Sequence, residues 1–152
     1  MRPTRNTDDE TTLQPIDRGT RILLAEDDAS LRELISCVLR LDGHDVEAVS
    51  SAQEMQSVLV AGAAAAADRP FDVIVTDVRM PGRSGLDVVE ELRAAGCATP
   101  IIVITAFPDD AIKERALSLQ TMLIAKPFSL EAMSFAIDWM VDVDGPESRW
   151  AH

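Results

Sequence analysis

The chain has 152 residues, 47% hydrophobic and 26% charged, which is the size and make-up of one compact domain with short tails and excludes wholesale disorder. Its 14 Lys and Arg stand against 26 Asp and Glu, and a formal net charge of −12 repels phosphate backbones and acidic membrane surfaces alike. Direct nucleic-acid and membrane contacts are therefore not expected. The longest apolar run, Val58 to Ala67, falls well short of the roughly 20 residues of a bilayer span. The polar start, Met1 to Thr20, lacks the apolar stretch of a secretory signal. Cys37 and Cys97 lie in apolar-periodic segments without metal-ligand spacing, and read as two buried free thiols in a reducing cytoplasm.

Residues 1–20 read as a flexible tail, 21–142 as the domain and 143–152 as a frayed end. Arg21–Ala25 is a first strand. Ser30 is expected to open a helix with Glu33 as its capping-box partner, placing Leu31, Leu34, Ile35, Val38 and Leu41 on one face, and Gly43 ends it. Asp45–Val49 is a weaker second strand, followed by an alanine-rich helix from about Ala52 to Ala66, because alanine enters a helix at little entropic cost. Phe71–Thr76 is a third strand, Ser84 starts a helix that Gly96 closes, and Pro100–Thr105 is a fourth strand. Asp109–Leu119 is a helix, Met122–Ala125 a fifth strand, and Ser129–Val141 the last helix. Apolar strands alternating with helices mark a parallel sheet covered on both faces, and right-handed crossovers favour a doubly wound α/β sandwich.

In such a sheet, ligands gather beyond the carboxyl ends of the strands. The first strand runs into Glu26-Asp27-Asp28, the third into Asp77, the fourth into Thr105 and the fifth into Lys126-Pro127. Singly, these residues read as a solvated cap, a turn residue, a strand terminator and a surface loop. Their coincidence on four strand tips is what points to chemistry. Carboxylates about 4 Å apart repel by roughly 1–4 kcal/mol per pair, more than Lys126 alone neutralises. A hard divalent cation with oxygen ligands, Mg²⁺, meets that need.

The motifs ILLAEDDASLR, VIVTDVRMPGRSGLDVVEELR, PIIVITA and AKPF, in this order and spacing, resemble the receiver domain of two-component response regulators from Arg21 to Val141. The resemblance implies a flavodoxin-like five-stranded sheet of order 2-1-3-4-5. It implies that Asp77 accepts a phosphoryl group from the phosphohistidine of a histidine kinase or phosphotransfer protein. Mg²⁺ would be held directly by Asp27, through water by Glu26, and by Asp77 and the Arg79 carbonyl. Thr105 would turn its hydroxyl toward the phosphoryl group, Lys126 would pair with a phosphoryl oxygen, and the Lys126-Pro127 bond would be cis. Asp28 would be a helix-start residue, and the small Ala106 would leave the site open to a bulky donor. Metal positioning and fixed dipoles supply most of the acceleration in such a transfer.

The expected role is a cytoplasmic switch and not an enzyme with an external substrate. A Mg²⁺-dependent phosphatase built on Asp77 is disfavoured, since Asp77-Val78-Arg79 lacks the second acid of such hydrolases. A receiver-shaped module that is never phosphorylated is the remaining alternative. The 11 residues after Val141 are too few for an output domain, so a stand-alone receiver acting on a downstream protein is expected.

Two departures from the family pattern stand out. Leu123 occupies the place of an aromatic residue, and the segment from Leu117 to Met122 is about one residue short and lacks the customary Gly-Ala. On the last helix, Leu130, Met133, Ile137, Met140 and Val141 form a core stripe. Phe135 and Trp139 fall opposite it, as a contact patch for a partner or for a homodimer. His44, beside Gly43, reads as a solvent-facing turn residue.

Overall fold

The sheet is built from runs in which almost every residue is apolar. A computed structural model describes residues 19–64 and 70–141. Its strands are β1 (Arg21–Ala25), β2 (Asp45–Val49), β3 (Val73–Asp77), β4 (Ile101–Thr105) and β5 (Met122–Ala125). Every residue of β3 and β4 is buried, as is all of β1 beyond Arg21. All neighbours pair in parallel, in the order β2-β1-β3-β4-β5. Edge strand β2 alone carries a charged residue away from its ends, Glu47, and Arg21 of β1 lies 3.6 Å from it and 3.7 Å from Asp45.

Five helices follow the strands: α1 (Ala29–Leu41), α2 (Ala52–Ala64), α3 (Gly85–Ala94), α4 (Asp110–Ser118) and α5 (Leu130–Met140). The two-residue period of the strands divides the core. Ile22, Leu24, Val73, Val75, Ile102 and Ile104 face α1 and α5. Leu23, Ile74, Ile101 and Val103 face Met55 of α2 and Leu86 and Val89 of α3, with Ile112 of α4 packed alongside. Each fully buried aliphatic side chain contributes about 1.5–3 kcal/mol, so both layers are anchored by burial. Among the described residues no helix is long and apolar enough to cross a membrane.

The structure departs from the sequence expectation at five places. The first helix is capped by Asp28, whose carboxylate accepts the Leu31 N–H at 3.1 Å, so Ser30 lies inside the first turn and caps nothing. Capping-box chemistry falls instead on α2, where Ser51 Oγ accepts the Glu54 N–H at 3.0 Å and Glu54 reaches back to the Ser50 N–H at 2.7 Å. The buried face of α1 is Ile35, Ser36 and Leu39, while Leu34 and Leu41 point outward. Cys37 is exposed with them and Cys97 is half-buried, both free. On α5, Met133, Ile137 and Met140 are buried as expected and Phe135 is exposed, but Trp139 is half-buried against the α1–α5 core, so the two aromatics do not form one outer patch. His44 is half-buried, its Nδ1 accepting the Thr20 N–H at 3.2 Å.

The observed ends otherwise differ from expectation by a residue or two: β3 starts at Val73 and includes Asp77, and Asp109 and Ser129 are caps of α4 and α5. The two tails, with Trp150 and His152, and the end of the alanine-rich helix at Ala65 and Ala66 lie outside the described residues, apart from Gly19 and Thr20.

Candidate phosphoacceptor and metal site

Parallel register brings the polar strand tips to one edge. Ala25 pairs with Thr76, Asp77 with Ile104, and Thr105 with Ala125. Glu26, Asp77, Thr105 and Lys126 therefore rise within one residue step of each other along the same rim. Glu26, Asp27 and Asp77 each offer a carboxylate oxygen within 4.8 Å of the others, Glu26 and Asp77 buried and Asp27 exposed. Lys126 Nζ donates to Asp77 Oδ2 at 2.7 Å and lies 3.1 Å from Glu26 Oε1.

Glu26 is held on three sides. Its amide donates to the Val49 carbonyl at 3.1 Å, its carbonyl accepts Arg32 Nη1 at 2.8 Å, and its Oε2 accepts the Asp28 N–H at 3.0 Å. The other oxygen, Oε1, is buried and makes no aligned hydrogen bond, the Lys126 ammonium being near it only as an ion pair. Burial pushes the Glu26 carboxyl up to about 7, and the Asp77 charge adds to the rise, against the pull of the Asp28 amide and Lys126. For Lys126, burial works to lower the ammonium, yet the hydrogen bonds and charges of Asp77 and Glu26 outweigh it and hold the group above its ordinary value.

These residues fit a hard cation. Three carboxylates meet one ammonium, all donors are oxygen, and a buried carboxylate oxygen faces the cluster without a hydrogen-bond donor. Asp27 and Asp77 would hold such an ion, with Glu26 behind them. Arg79 sits at the rim: its amide donates to Asp77 Oδ1 at 3.3 Å, and its guanidinium lies 5.3 Å from the centre of the Phe107 ring. Thr105 is fully buried, and its hydroxyl oxygen accepts the Phe107 N–H at 3.1 Å. The Lys126-Pro127 peptide is cis, as the resemblance implied.

Beside Lys126 opens an apolar groove of about 420 Å³ lined by Leu31, Leu34, Ala106 and Phe128 among others, and Ala106 is exposed at it. Leu123 is half-buried against the α2–α3 core. Sequence reasoning missed Arg32, which reaches Glu26 from the first turn of α1, and Phe107, whose amide holds the Thr105 hydroxyl. The six-residue spacing of Glu26 and Arg32 across a helix start was the available signal for the first.

The response regulator receiver domain family matches residues 22–138, and the chain belongs to it. It is a two-component signalling domain with the flavodoxin-like sheet of that family. The response regulator PmrA of Pseudomonas aeruginosa is 37% identical over 116 residues, which cover 74% of this chain and 48% of PmrA. The chain thus spans about half the length of the curated relatives it matches. Among solved structures, the chemotaxis protein CheY4 of Vibrio cholerae superposes with a TM-score of 0.67 at 26% identity, covering 80% of this chain and 98% of its own. The non-phosphorylated HemR receiver domain of Leptospira biflexa gives 0.68 at 28%, covering 82% and 95%.

Proposed function

We propose that Asp77 accepts a phosphoryl group from a phosphohistidine carried by a histidine kinase or phosphotransfer protein, with Mg²⁺ at the Glu26-Asp27-Asp77 cluster. The observation that carries this reading is the meeting of Lys126 with Asp77 at 2.7 Å inside a pocket of three carboxylates. A carboxylate attacking a charged phosphoryl group needs both charges screened, and the cation, when bound, supplies that screening and fixes the phosphoryl oxygens. Asp77 Oδ forms the new O–P bond as the N–P bond to the donor imidazole breaks, and the imidazole recovers its proton from solvent. Lys126 moves its pairing from Asp77 to a phosphoryl oxygen, as a compact charge can without a fixed fork geometry. The Thr105 hydroxyl, which accepts from the Phe107 amide, donates a hydrogen bond to a second phosphoryl oxygen. The Arg79 carbonyl would complete the protein ligands of the ion. The groove beside Ala106 and Lys126 leaves room for the donor.

The phosphorylated domain signals through a protein contact, in the cytoplasm, without turnover of an external substrate. Its charge of −12 supports an output free of direct nucleic-acid contact. Incubation with acetyl phosphate and Mg²⁺, followed by intact mass, tests the reading. Wild type gains one phosphoryl group and Asp77→Asn gains none; an equal result for the two proteins, with or without adduct, rejects it.

A further inference from the structure

Helix α3 approaches the phosphoacceptor strand at Gly85, the residue after its cap Ser84. Gly85 is buried, and its amide donates to the Val78 carbonyl at 3.0 Å. A Cβ at this position would stand 2.1 Å from the Asp77 carbonyl oxygen, 2.6 Å from Thr76 Oγ1 and 3.2 Å from the Asp77 carbonyl carbon. The backbone of Gly85 is not in the left-handed range that reserves a position for glycine, so the requirement is for space. Alanine would otherwise be the better helix former.

Neither side can yield cheaply. The nearest atoms belong to the Asp77 main chain, and α3 is held down by Leu86, Val88 and Val89, all buried in the core beneath it. Thr76 completes the arrangement from within β3: it is fully buried, and its hydroxyl donates to the same Asp77 carbonyl at 3.0 Å. The Asp77 carbonyl thus accepts from the Thr76 hydroxyl and is closely approached by Gly85 at the start of α3, while its carboxylate is held by Lys126 at 2.7 Å.

We infer that Gly85 and Thr76 form a seat that fixes the Asp77 backbone for phosphoryl acceptance, Gly85 being a positioning residue of the site. The inference rests on the phosphoacceptor reading above. A methyl at residue 85 reaches ordinary contact only beyond 3.4 Å, so α3 and the Asp77 backbone must separate by over an ångström, which shifts the phosphoacceptor against the rest of the site. Misplacement on that scale costs up to about a hundredfold in rate.

The test uses the full chain, with acetyl phosphate as donor at saturating Mg²⁺, and normalises adduct formation to the folded fraction measured by circular dichroism. Gly85→Ala should form adduct roughly 10- to 100-fold more slowly per folded molecule and bind Mg²⁺ more weakly by calorimetry. Gly62→Ala, on α2 with open space around it, should match wild type. Thr76→Val should slow the reaction several-fold and Thr76→Ser should restore it, a distinction that loss of fold stability alone does not produce. A wild-type rate in folded Gly85→Ala overturns the inference. If that variant does not fold, a wild-type rate in Thr76→Val overturns it instead. Should wild type itself take no phosphoryl group, the proposed function fails, and the seat is then judged on Mg²⁺ affinity alone: weakening in Gly85→Ala supports it and equality rejects it.

Discussion

The two flanks of the sheet are fastened in different ways. On the α3–α4 flank, Arg115 Nη2 reaches Asp87 at 2.8 Å and Glu90 at 2.7 Å, tying α4 to α3. Arg93 returns the tie, donating to the carbonyls of Leu119 and Thr99 at 2.8 Å, Cys97 at 3.0 Å and Gln120 at 3.1 Å. Arg83 joins Glu91 and Gln56, extending the lattice to α2. On the α1–α5 flank, Ser134 Oγ donates to Asp42 at 2.9 Å, Leu41 and Phe135 beside these two residues are exposed, and Leu34 is exposed at the groove by Lys126. On the α3–α4 flank arginines tie helix to helix, whereas on the α1–α5 flank Arg32 and Arg40 of α1 reach only the carbonyls of Glu26 and Val46, at 2.8 and 2.9 Å, and the two helices meet through core burial. This domain thus concentrates its helix-to-helix polar fastening on the side away from the groove beside Lys126.

Arg93 gives the sharpest contrast. It is half-buried, and burial lowers its guanidinium below the ordinary value while four carbonyls, and no carboxylate, receive its protons. Two of them close α4, where Gln120 adopts a left-handed φ of 57°. Hydrogen bonds to a charged donor contribute about 1.5–3 kcal/mol each when buried, and these are partly exposed, so Arg93→Ala should cost about 2 kcal/mol in urea denaturation. Ser134→Ala on the other flank should stay within about 0.5 kcal/mol. Equal costs would abolish the distinction. Arg115→Ala should come next, at about 0.5–1 kcal/mol, and its effect should shrink in high salt because the pairs with Asp87 and Glu90 are partly exposed.

Acid and base should separate the flank from the site. The Arg115 hydrogen bond holds the Asp87 carboxyl below its usual 3.8, so the stability it lends is present above that pH and is lost on acidification through the lower folded value. Glu26 runs the other way. Its carboxyl rises from 4.5 to about 7 in the folded protein, so its contribution is full below pH 4.5 and disappears as pH climbs through about 7. In metal-free protein, melting temperature should therefore fall across that window, and added Mg²⁺ should raise it more at pH 8 than at pH 5. A metal effect independent of pH would contradict the environment assigned to Glu26. The smallest effect belongs to the exposed aromatic: Phe135→Ser should leave stability within about 0.5 kcal/mol, whereas Trp139→Ser, losing packing against the core, should cost more.

What could be read from the sequence was whatever topology alone determines. Once five apolar runs alternate with helices, a parallel sheet must send its carboxyl ends to one edge, so Glu26, Asp77, Thr105 and Lys126 were found before any distance was known. The period of α1 was legible but its phase was not. Leu34 and Leu41 count as apolar and Ser36 does not, yet helix placement on the sheet buries Ser36 and leaves the leucines outside. Asp28 won the cap from Ser30 because β1 ends at Ala25 and the turn into α1 is only three residues long. Gly85 and Arg93 were invisible for a related reason: their roles depend on how closely two distant segments approach, which no local pattern records.

The central claim is that the carboxylates at this edge hold a cation which lets Asp77 take up a phosphoryl group. Peptide mapping after acetyl phosphate treatment, with Mg²⁺ and with a chelator in its place, addresses it most directly. A single adduct on Asp77 that disappears with the chelator is the predicted result. An adduct on another residue, or one formed equally without the metal, would contradict it.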